Sequence, residues 1–441
     1  MSGYLVVGLG STAQAVLRAL LTHGESAVVV DDQPTLEGRA LAKDLGVRLV
    51  EAPDQGDWPR LVAGMAAVLP SPGVADHHPV FAAARAATVP VLSEFDLAQR
   101  WDDRPVVAIT GTNGKTTVAE LTRSMLEASG RRAVAVGNLD VPLVAAIADP
   151  AIDVFVVEAS SFRLLHSQDF APGVGTWLNM APDHLDHHAS LEAYTAAKAR
   201  LWARQTSSDV AIGNADDPAV REHLRRAAGQ QVTFGLDPSA QYHLDGDDLV
   251  LANGEVVAGV RELARAFPHD IANALAAAAT AFHGGGTSVG IRQALLAFRG
   301  LPHRVCLVGE AGGVRWYNDS KATAPHATRA AVRSFPSVVL IAGGRNKGLD
   351  LNELAADCAH IRAVVAIGEA APEVVAAFEA VRPVYPVGSM DEAVAAAAGV
   401  AEPGDVVLLS PGCASFDWYQ SYGERGDDFV RAVAARLEDS R

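Results

Sequence analysis

Cysteine is scarce in this sequence. Only three of the 441 residues are cysteine, Cys306, Cys358 and Cys413, and they are far apart. An odd, scattered set without a C-x-x-C pair excludes a disulfide framework and a cysteine-ligated zinc site. A reducing compartment, the cytoplasm, is therefore the expected location.

Basic residues and long apolar runs are also in short supply. The chain has 36 Lys and Arg against 52 Asp and Glu, a net charge of -16, which disfavours binding to nucleic acid or anionic lipid. No apolar stretch is long enough to span a bilayer. The first residues, MSGYLVVGLG, lack the basic segment of a secretory signal. We expect neither a nucleic-acid nor a membrane partner.

The residues that are present predict an α/β protein of several domains. Hydrophobic residues make up 49% of the chain, and a chain this long exceeds what one core usually serves. Short apolar runs alternate with helical patterns, which is typical of parallel sheets covered by helices. The strand candidates are Leu5–Val7, Ala27–Val30, Val106–Thr110, Val154–Val157, Val338–Ala342, Val364–Ile367 and Val406–Leu409.

Two turn-rich breaks divide the chain. The polar stretch Arg100–Pro105 and the stretch Arg299–His303 each precede a new strand candidate. We therefore predict domains at residues 1–102, 103–302 and 303–441. Residues 235–255 alternate glycine, aspartate and asparagine with apolar residues, which predicts hairpins within the middle domain.

A glycine-rich loop carries the most informative motif. Val106–Thr110 is followed by Gly111-Thr-Asn-Gly114-Lys115-Thr116-Thr117 and then by a helical pattern. Such a loop turns backbone N–H groups toward phosphate oxygens, the lysine reaches the outer phosphates, and a threonine hydroxyl binds Mg²⁺. The general pattern places glycine where this chain has Ile109. The motif predicts a nucleoside-triphosphate site.

Two further clusters follow in the middle of the chain. Glu158 ends a strand candidate, where parallel strands point side chains into a ligand crevice, so it is a candidate Mg²⁺ ligand; a helix cap formed by Ser160 and Ser161 is the alternative. The segment Asn179–His188 contains Asp183, His184, Asp186, His187 and His188. Together these oxygen and imidazole groups predict a metal site, although single histidines are more often structural.

Lys198 stands on the apolar face of a predicted helix. Ser190 is placed to cap this helix, which runs to about Ala203, and Tyr194 and Leu201 share the face of Lys198. A lysine there is costly unless its amine is paired or chemically altered. The simpler alternative is that its ammonium reaches the edge of the face.

Three polar turns follow strand candidates in the last third of the chain. They are Asn318–Thr323, Gly343–Gly348 and Ser410–Asp417. Turns that follow three strands of one sheet would converge on one crevice. A cationic, hydroxyl-rich crevice of this kind suits a small dicarboxylate.

The N-terminal turn approaches a dinucleotide-binding pattern. Gly8, Gly10 and Ala13 match G-x-G-x-x-A, and Asp31 lies about 20 residues further on. Read alone, the pattern fits a dehydrogenase. It fits another nucleotide diphosphate equally well, because the turn binds pyrophosphate.

In order and content, these segments resemble the Mur ligase family over nearly the whole chain. The shared segments are Gly111–Thr117, Asp183–Asp186, the Lys198 helix, Leu301–Arg304 and Asn318–Thr323. The branch that adds D-glutamate to UDP-N-acetylmuramoyl-L-alanine is the most similar, through Ser320–Thr323, Ser410–Asp417 and Glu424–Gly426.

The resemblance implies three α/β domains: Rossmann-like for the uridine nucleotide, P-loop-ATPase-like with a mostly parallel sheet, and Rossmann-like for the amino acid. It implies ATP-dependent ligation through an acyl phosphate in peptidoglycan synthesis, by a monomer acting on small molecules. Catalytic roles fall to Lys115, His184 and Lys198. ATP is expected to contact Gly111, Thr112, Asn113, Gly114, Lys115, Thr116, Thr117, Asn273, Arg304 and Asp319.

The remaining implied sites concern magnesium and the two other substrates. One Mg²⁺ is expected on Thr116 and Glu158, and a second on His184 and a carbamylated Lys198, where carbamylation turns the ammonium into an anion. D-Glutamate is expected to contact Lys321, Thr323, Lys347, Ser415, Phe416 and Tyr422. The UDP substrate is expected to contact Gly10, Ser11, Thr12, Asp31, Ser71, Pro72, Gly73 and Asn138.

The chain departs from the family pattern at three places: Asp31-Asp-Gln33 near the uridine site, Asp270 before Asn273, and Ala324 after Thr323. The alternatives are a related ligase or a folylpolyglutamate synthase with another acceptor, although no D-N-P-R run of the diamino-acid-adding members is present. If the chain were a nicotinamide-dependent oxidoreductase, the phosphate loop would have no role. If it were an ATP-binding regulatory protein, it would bind the nucleotide without turnover.

Overall fold

The computed structural model describes residues 3–184 and 187–438. Leu185 and Asp186 of the histidine-rich segment lie outside these ranges. The described chain forms two compact units. The first comprises residues 3–180, 187–266 and 270–298, and the second comprises 181–184, 267–269 and 299–438. The mixed α/β class with mostly parallel sheets is confirmed.

The first unit begins with a parallel four-stranded sheet. Its strands are β1 (Tyr4–Val7), β2 (Ala27–Asp31), β3 (Arg48–Glu51) and β4 (Ala67–Pro70), in the order β3-β2-β1-β4. The helices are α1 (Ser11–Thr22), α2 (Leu36–Asp44), α3 (Trp58–Val62), α4 (Pro79–Ala87) and α5 (Glu94–Trp101), with a 3-10 turn at Gln55–Asp57. All four residues of β1 are buried, as expected for a strand covered on both faces.

A six-stranded parallel sheet follows in the same unit. Its strands are β5 (Val106–Thr110), β6 (Ala133–Gly137), β7 (Val154–Glu158), β8 (Val174–Trp177), β9 (Val210–Asn214) and β10 (Gln230–Phe234), in the order β10-β9-β8-β5-β7-β6. The helices are α6 (Lys115–Ala128), α7 (Leu143–Ala146), α8 (Ser161–Leu165), α9 (Leu191–Ala199) and α10 (Pro218–Leu224), with a 3-10 turn at Arg200–Trp202. Because β5 lies between β7 and β8, the ends of these three strands are adjacent.

A small antiparallel sheet and two helices complete the first unit. The strands are β11 (His243–Asp245), β12 (Asp248–Val250) and β13 (Val256–Gly259). One hairpin, formed by β11 and β12, lies within residues 235–255 as predicted, whereas the second pairs β12 with β13, which lies after residue 255. A 3-10 turn at Val260–Glu262 leads to α11 (Pro268–His283) and α12 (Ser288–Ala297).

Buried Asp96 links α5 to the loop that precedes strand β8 of the six-stranded sheet. One of its carboxylate oxygens accepts the N–H groups of Gln168, Asp169 and Phe170 at 2.8–3.0 Å, and its other oxygen accepts from Ser93. These hydrogen bonds fix the backbone of residues 168–170 against α5. Residues on both sides of the break near residue 103 consequently pack in one unit, and the domain boundary predicted there stays a prediction.

The second unit is built on a six-stranded sheet. Its strands are β14 (Cys306–Ala311), β15 (Val314–Asn318), β16 (Val338–Gly343), β17 (Ile361–Ile367), β18 (Val384–Pro386) and β19 (Val406–Leu409), in the order β14-β15-β19-β16-β17-β18. Only β14 is antiparallel to its neighbour in this sheet. The helices are α13 (Pro325–Val332), α14 (Ala371–Phe378), α15 (Met390–Val400) and α16 (Tyr422–Glu438), with a 3-10 segment at Leu351–His360.

Alternate residues of the central strands pack into two separate hydrophobic cores, one on each face of the sheet. On β16, Leu340 packs in a cluster with Phe378, whereas Val339 and Ile341 pack with Phe429. This alternation is the period of two of a strand covered on both faces. Within the described ranges, no helix combines the length and the apolar character needed to cross a membrane.

Candidate functional site

The predicted phosphate loop joins β5 to α6. Gly111–Gly114 form the turn, and Lys115 is the first residue of the helix. The N–H groups of Thr112 and Asn113 donate to Oδ1 of Asn179 at 3.1 and 2.8 Å, and Lys115 Nζ donates to the carbonyl oxygens of Gly111 and Thr112 at 2.9 and 3.0 Å. The loop is held by its own lysine and by a residue that follows neighbouring strand β8.

Gly114 is required at the end of this loop. Its φ is 83°, and a Cβ built there would lie 2.5 Å from Oδ1 of Asn273. A side chain would meet both backbone strain and a close contact. Asn273 on α11, which the family resemblance implies as an ATP contact, thus lies directly beside the phosphate loop.

A pocket open to solvent lies beside α6. Its walls are mostly apolar, and Asn273 supplies an amide. An apolar cavity with few polar groups suits a planar heterocycle. Asp270, a departure from the family pattern, is on the wall and pairs with Arg265 at 3.2 Å. The lining residues are Thr117, Leu121, Leu263, Ala264, Arg265, Asp270, Asn273, Ala274, Leu295 and Phe298.

Glu158 ends β7, next to the phosphate-loop strand in the sheet. It is 3% exposed, and Asn138 Nδ2 donates to its Oε1 at 2.9 Å. Its other oxygen, Oε2, is buried and makes no hydrogen bond within the described residues. A buried carboxylate oxygen without a donor is costly, and a cation would satisfy it.

Lys198 is buried, as predicted, with 1% exposure. Ser190 caps α9 by accepting from the N–H of Ala193. Lys198 Nζ donates to the carbonyl oxygen of Gly111 at 2.7 Å and lies 4.4 Å from the centre of the Tyr194 ring. The amine therefore reaches the phosphate loop, and the alternative of an ammonium at the edge of the apolar face is wrong. The predicted end of the helix near Ala203 is reached through the 3-10 turn after Ala199.

The N-terminal residues of the expected UDP-substrate set also come together. Asp31 accepts the N–H of Leu9 at 2.6 Å, within the turn from Gly8 to Gly10. The N–H of Ser71 donates to the carbonyl oxygen of Val7 at 2.8 Å. Gly10 is the N-cap of α1 and Ser11 is its first residue, while Pro72 and Gly73 follow Ser71. The ends of β1, β2 and β4 thus form one edge.

A buried ion pair that sequence reasoning missed lies next to this edge. Arg163 on α8 pairs with Glu94 on α5 and donates to Oγ1 of Thr12 at 3.0 Å. The N–H of Val144 donates to Glu94 at 2.9 Å. Burial raises the pKa of Glu94, and Arg163 acts against that rise. Thr12, expected at the UDP substrate, therefore has its hydroxyl engaged by Arg163.

His166 lines a pocket that Thr12, Ser71 and Arg163 also border. Its ring stacks on Phe81 at 4.8 Å.

The free energy of unfolding is expected to decrease as the pH falls, because His166 becomes protonated. Burial, followed by nearby Arg200, lowers the pKa of His166 from 6.5 to about 4. The unfolded chain therefore takes up this proton first, so the contribution is complete above pH 6.5 and is lost as pH falls toward 4. His166→Gln should remove about 2 kcal/mol of the stability difference between pH 7 and pH 4.5, measured by urea unfolding. His77→Gln, at an exposed position, should leave that difference unchanged; an equal pH dependence in all three proteins would contradict the prediction.

In the second unit, Asp319 is fixed between two elements. Its Oδ2 accepts from Ser410 Oγ at 2.7 Å, and its Oδ1 accepts from the N–H of Val305 at 3.3 Å. His303 and Val305 have positive φ, 60° and 49°, a backbone conformation that residues with a side chain rarely adopt. Arg304 lies between these two residues. Arg304 and Asp319, the two remaining expected ATP contacts, thus lie on adjoining segments.

The three polar turns meet as the sequence predicted, because β15, β19 and β16 are consecutive in the sheet. Arg345 and Ala414 exchange both backbone hydrogen bonds at 2.9 and 3.0 Å, which brings the turn of Lys347 beside that of Ser415. A Cβ on Gly344 would lie 2.3 Å from the carbonyl oxygen of Ala414. Glycine is thus required for this close approach.

The third turn contacts the start of α16. Lys321 Nζ lies 3.7 Å from the centre of the Tyr422 ring, and Ser320 Oγ donates to the carbonyl oxygen of Tyr422 at 2.8 Å. Ser415 is buried, whereas Phe416 is 62% exposed. Thr323 ends the turn just before α13.

Asp183 lies beside Lys347 in the second unit, with 3.9 Å between Oδ1 and Nζ. Burial opposes ionisation of Asp183, but His184 and Lys347 outweigh it and hold the pKa of its carboxyl below the usual value. His184 has a φ of 54°, a left-handed conformation that histidine adopts more readily than most residues. Sequence reasoning grouped Asp183 with the histidines and did not foresee Lys347.

Arg425 is the main residue of the second unit whose role sequence reasoning missed. It is 1% exposed and donates to Ser320 and to the carbonyl oxygens of Cys413 and Ala414. It therefore ties two of the three polar turns to α16. The sequence indicates Glu424–Gly426 only through the family resemblance.

Three family models match successive parts of the chain. "Mur ligase MurD-like, N-terminal domain" matches residues 2–93, "Mur ligase middle domain" matches 109–281, and "Mur ligase, glutamate ligase domain" matches 303–413.

Curated relatives match over nearly the full length. A UDP-N-acetylmuramoylalanine--D-glutamate ligase of Frankia casuarinae is 44% identical, with 98% of this chain and 94% of the relative covered. The enzyme of the same name from Thermobifida fusca is 40% identical, with 98% and 97% covered. Among solved structures, a pseudomurein peptide ligase type C from Methanothermus fervidus has a TM-score of 0.62 at 18% identity, covering 99% of this chain and all of that one.

Proposed function

The chain belongs to the Mur ligase family, and from this premise we propose that it joins D-glutamate to UDP-N-acetylmuramoyl-L-alanine in peptidoglycan precursor synthesis. ATP is converted to ADP and phosphate in the same reaction. The proposal rests on ligases of that name that are 44% and 40% identical to this chain over nearly its full length. The nicotinamide-dependent alternative has no support in these relatives.

The contacts of the first unit support ATP as the energy source. Lys115 sits at the start of α6, and Asn273 lines an apolar cavity next to the loop. The buried, donor-free Oε2 of Glu158 fits a divalent cation. We assign one Mg²⁺ to Thr116 and Glu158 and a second to His184 and a carbamylated Lys198. Bound there, Mg²⁺ would neutralise the charge of phosphate oxygens.

Two bond exchanges account for the ligation. The L-alanyl carboxylate attacks the terminal phosphorus of ATP, and ADP leaves with the electron pair of the broken bond. The D-glutamate amine then attacks the resulting acyl phosphate, phosphate departs, and the nitrogen loses a proton. Lys115 would stabilise the charge of the migrating phosphoryl group.

The polar turns of the second unit support an acidic amino acid as acceptor. Lys321 and Lys347 supply positive charge, and Ser415, Thr323 and Tyr422 add hydroxyls on the turns that meet at β15, β16 and β19. Two carboxylates of one small substrate match this arrangement. The residues at β1, β2 and β4, with Asn138, form the proposed UDP-substrate site. We also propose that the protein acts as a monomer in the cytoplasm, and the three free cysteines support the reducing compartment.

The direct test is phosphate release from ATP in the presence of Mg²⁺ and UDP-N-acetylmuramoyl-L-alanine. D-Glutamate is expected to support release, whereas L-glutamate, other amino acids and no acceptor should give background rates. Release with another amino acid only would retain the ligase chemistry and overturn the acceptor assignment. ATP binding without acceptor-dependent release would favour a regulatory protein.

A further inference from the structure

We propose that Asp76, His187 and His188 form a binding site for a divalent transition-metal cation of the zinc class, separate from the two magnesium sites. One ligand atom from each residue lies within 4.8 Å of the other two. The residues belong to the first unit and come from two loops, one after β4 and one before α9. The inference does not depend on the proposed ligase activity.

The distances within this cluster suit a shared cation better than direct hydrogen bonds. Oδ1 of Asp76 is 3.7 Å from Nδ1 of His187, and its Oδ2 is 4.0 Å from Nδ1 of His188. These separations exceed a hydrogen bond. Two ligands on a tetrahedral cation with bonds of about 2.1 Å lie roughly 3.4 Å apart, so a small inward shift would complete the site.

Asp76 and His187 offer buried ligand atoms to a cation. Asp76 Oδ1 and both ring nitrogens of His187 are buried and make no hydrogen bond within the described residues. Leaving such groups unsatisfied is costly. The Asp76 side chain as a whole is 30% exposed, which leaves a side from which a cation and its remaining water ligands can enter.

A neighbouring hydroxyl orients His188 as a metal site requires, and an aromatic ring packs against both imidazoles. Nε2 of His188 is 3.0 Å from Oγ of Ser161, so its Nδ1 is the nitrogen directed at Asp76. A hydrogen bond to the second ring nitrogen is the usual support of a metal-binding histidine. The Phe162 ring stacks on His188 and contacts His187 at centroid distances of 5.5 and 4.4 Å.

The ligand chemistry selects the class of cation. Two imidazoles and one carboxylate suit Zn²⁺ or Co²⁺, whereas Mg²⁺ prefers oxygen ligands. A bound cation would fasten the loop after β4 to the segment before α9, which the contact between Ser161 and His188 ties to the start of α8. Metal binding should therefore stabilise the region around the proposed UDP-substrate site.

Co²⁺ titration of the chelator-treated full-length protein, in excess Mg²⁺, tests the site. Visible absorption bands should saturate at one equivalent and disappear when Zn²⁺ is added. Asp76→Asn and His187→Gln should each weaken binding by at least about tenfold, and Ser161→Ala by about tenfold. His77→Gln, next to Asp76 but exposed, should bind as the unmodified protein does.

A thermal readout gives an independent check. Zn²⁺ should raise the melting temperature of the unmodified protein and of His77→Gln, but not that of Asp76→Asn. If one variant does not fold, the others carry the test, because they change three different segments. Equal Co²⁺ binding by all variants, or no binding by the unmodified protein, would overturn the proposal.

Discussion

Lys198→Met is expected to lower kcat by roughly a thousandfold or more while the protein remains folded. The methionine keeps the apolar stem that packs in the first unit but removes the amine that contacts Gly111. Under the proposed function, the carbamylated amine supplies an anionic magnesium ligand. Glu192→Gln, on the same helix at an exposed position, is the matched control and should retain full activity.

If Lys198 is carbamylated, a carboxylate should be able to replace its side chain. The neutral lysine amine attacks CO₂, a C–N bond forms, and a proton is lost. The carbamate nitrogen keeps one N–H, so the hydrogen bond to Gly111 can persist. Lys198→Ala should regain part of its activity with acetate, which fills the vacated space and supplies a carboxylate, whereas Lys198→Met should not. Carbon NMR with labelled CO₂ should show a carbamate signal that Lys198→Met lacks; no signal and no rescue would count against carbamylation.

The sequence predicted elements and faces well because these depend on local periodicity. Val106–Thr110 and Val406–Leu409 are strands with the predicted bounds. Lys198 was placed on a buried face from its spacing to Tyr194 and Leu201. The convergence of the three polar turns followed from a general property of parallel sheets, and adjacent β15, β19 and β16 confirm it.

The pairs that escaped prediction join distant parts of the chain. Asp183 and Lys347, Glu94 and Arg163, and Asp76 and His187 are each brought together by sheet order and loop paths, not by spacing. A single charged residue in a loop carries no signal of its partner. The composition of a segment therefore predicted what chemistry was available, while the partner of each group depended on the tertiary fold.

Arg425→Met should destabilise the second unit by roughly 3–5 kcal/mol. The guanidinium donates to Ser320 Oγ and to the carbonyl oxygens of Ser320, Cys413 and Ala414, at 2.8–3.2 Å. Burial lowers its pKa to about 10, so it stays charged at neutral pH. Removing it leaves buried acceptors without donors, and urea unfolding should report the loss.

Comparison with other arginine variants separates geometry from charge. Arg425→Lys keeps the charge, but one ammonium cannot span both turns, so most of the stability loss should remain. Arg431→Ala, on the same helix, removes a half-exposed pair with Asp391 and Asp428 and should cost less than about 1 kcal/mol. Because Arg425 fixes the turns that carry Lys321 and Ser415, the lysine variant should also raise the KM for D-glutamate more than that for ATP. Equal effects of the Arg425 and Arg431 variants on unfolding would show that the buried hydrogen bonds do not stabilise this unit.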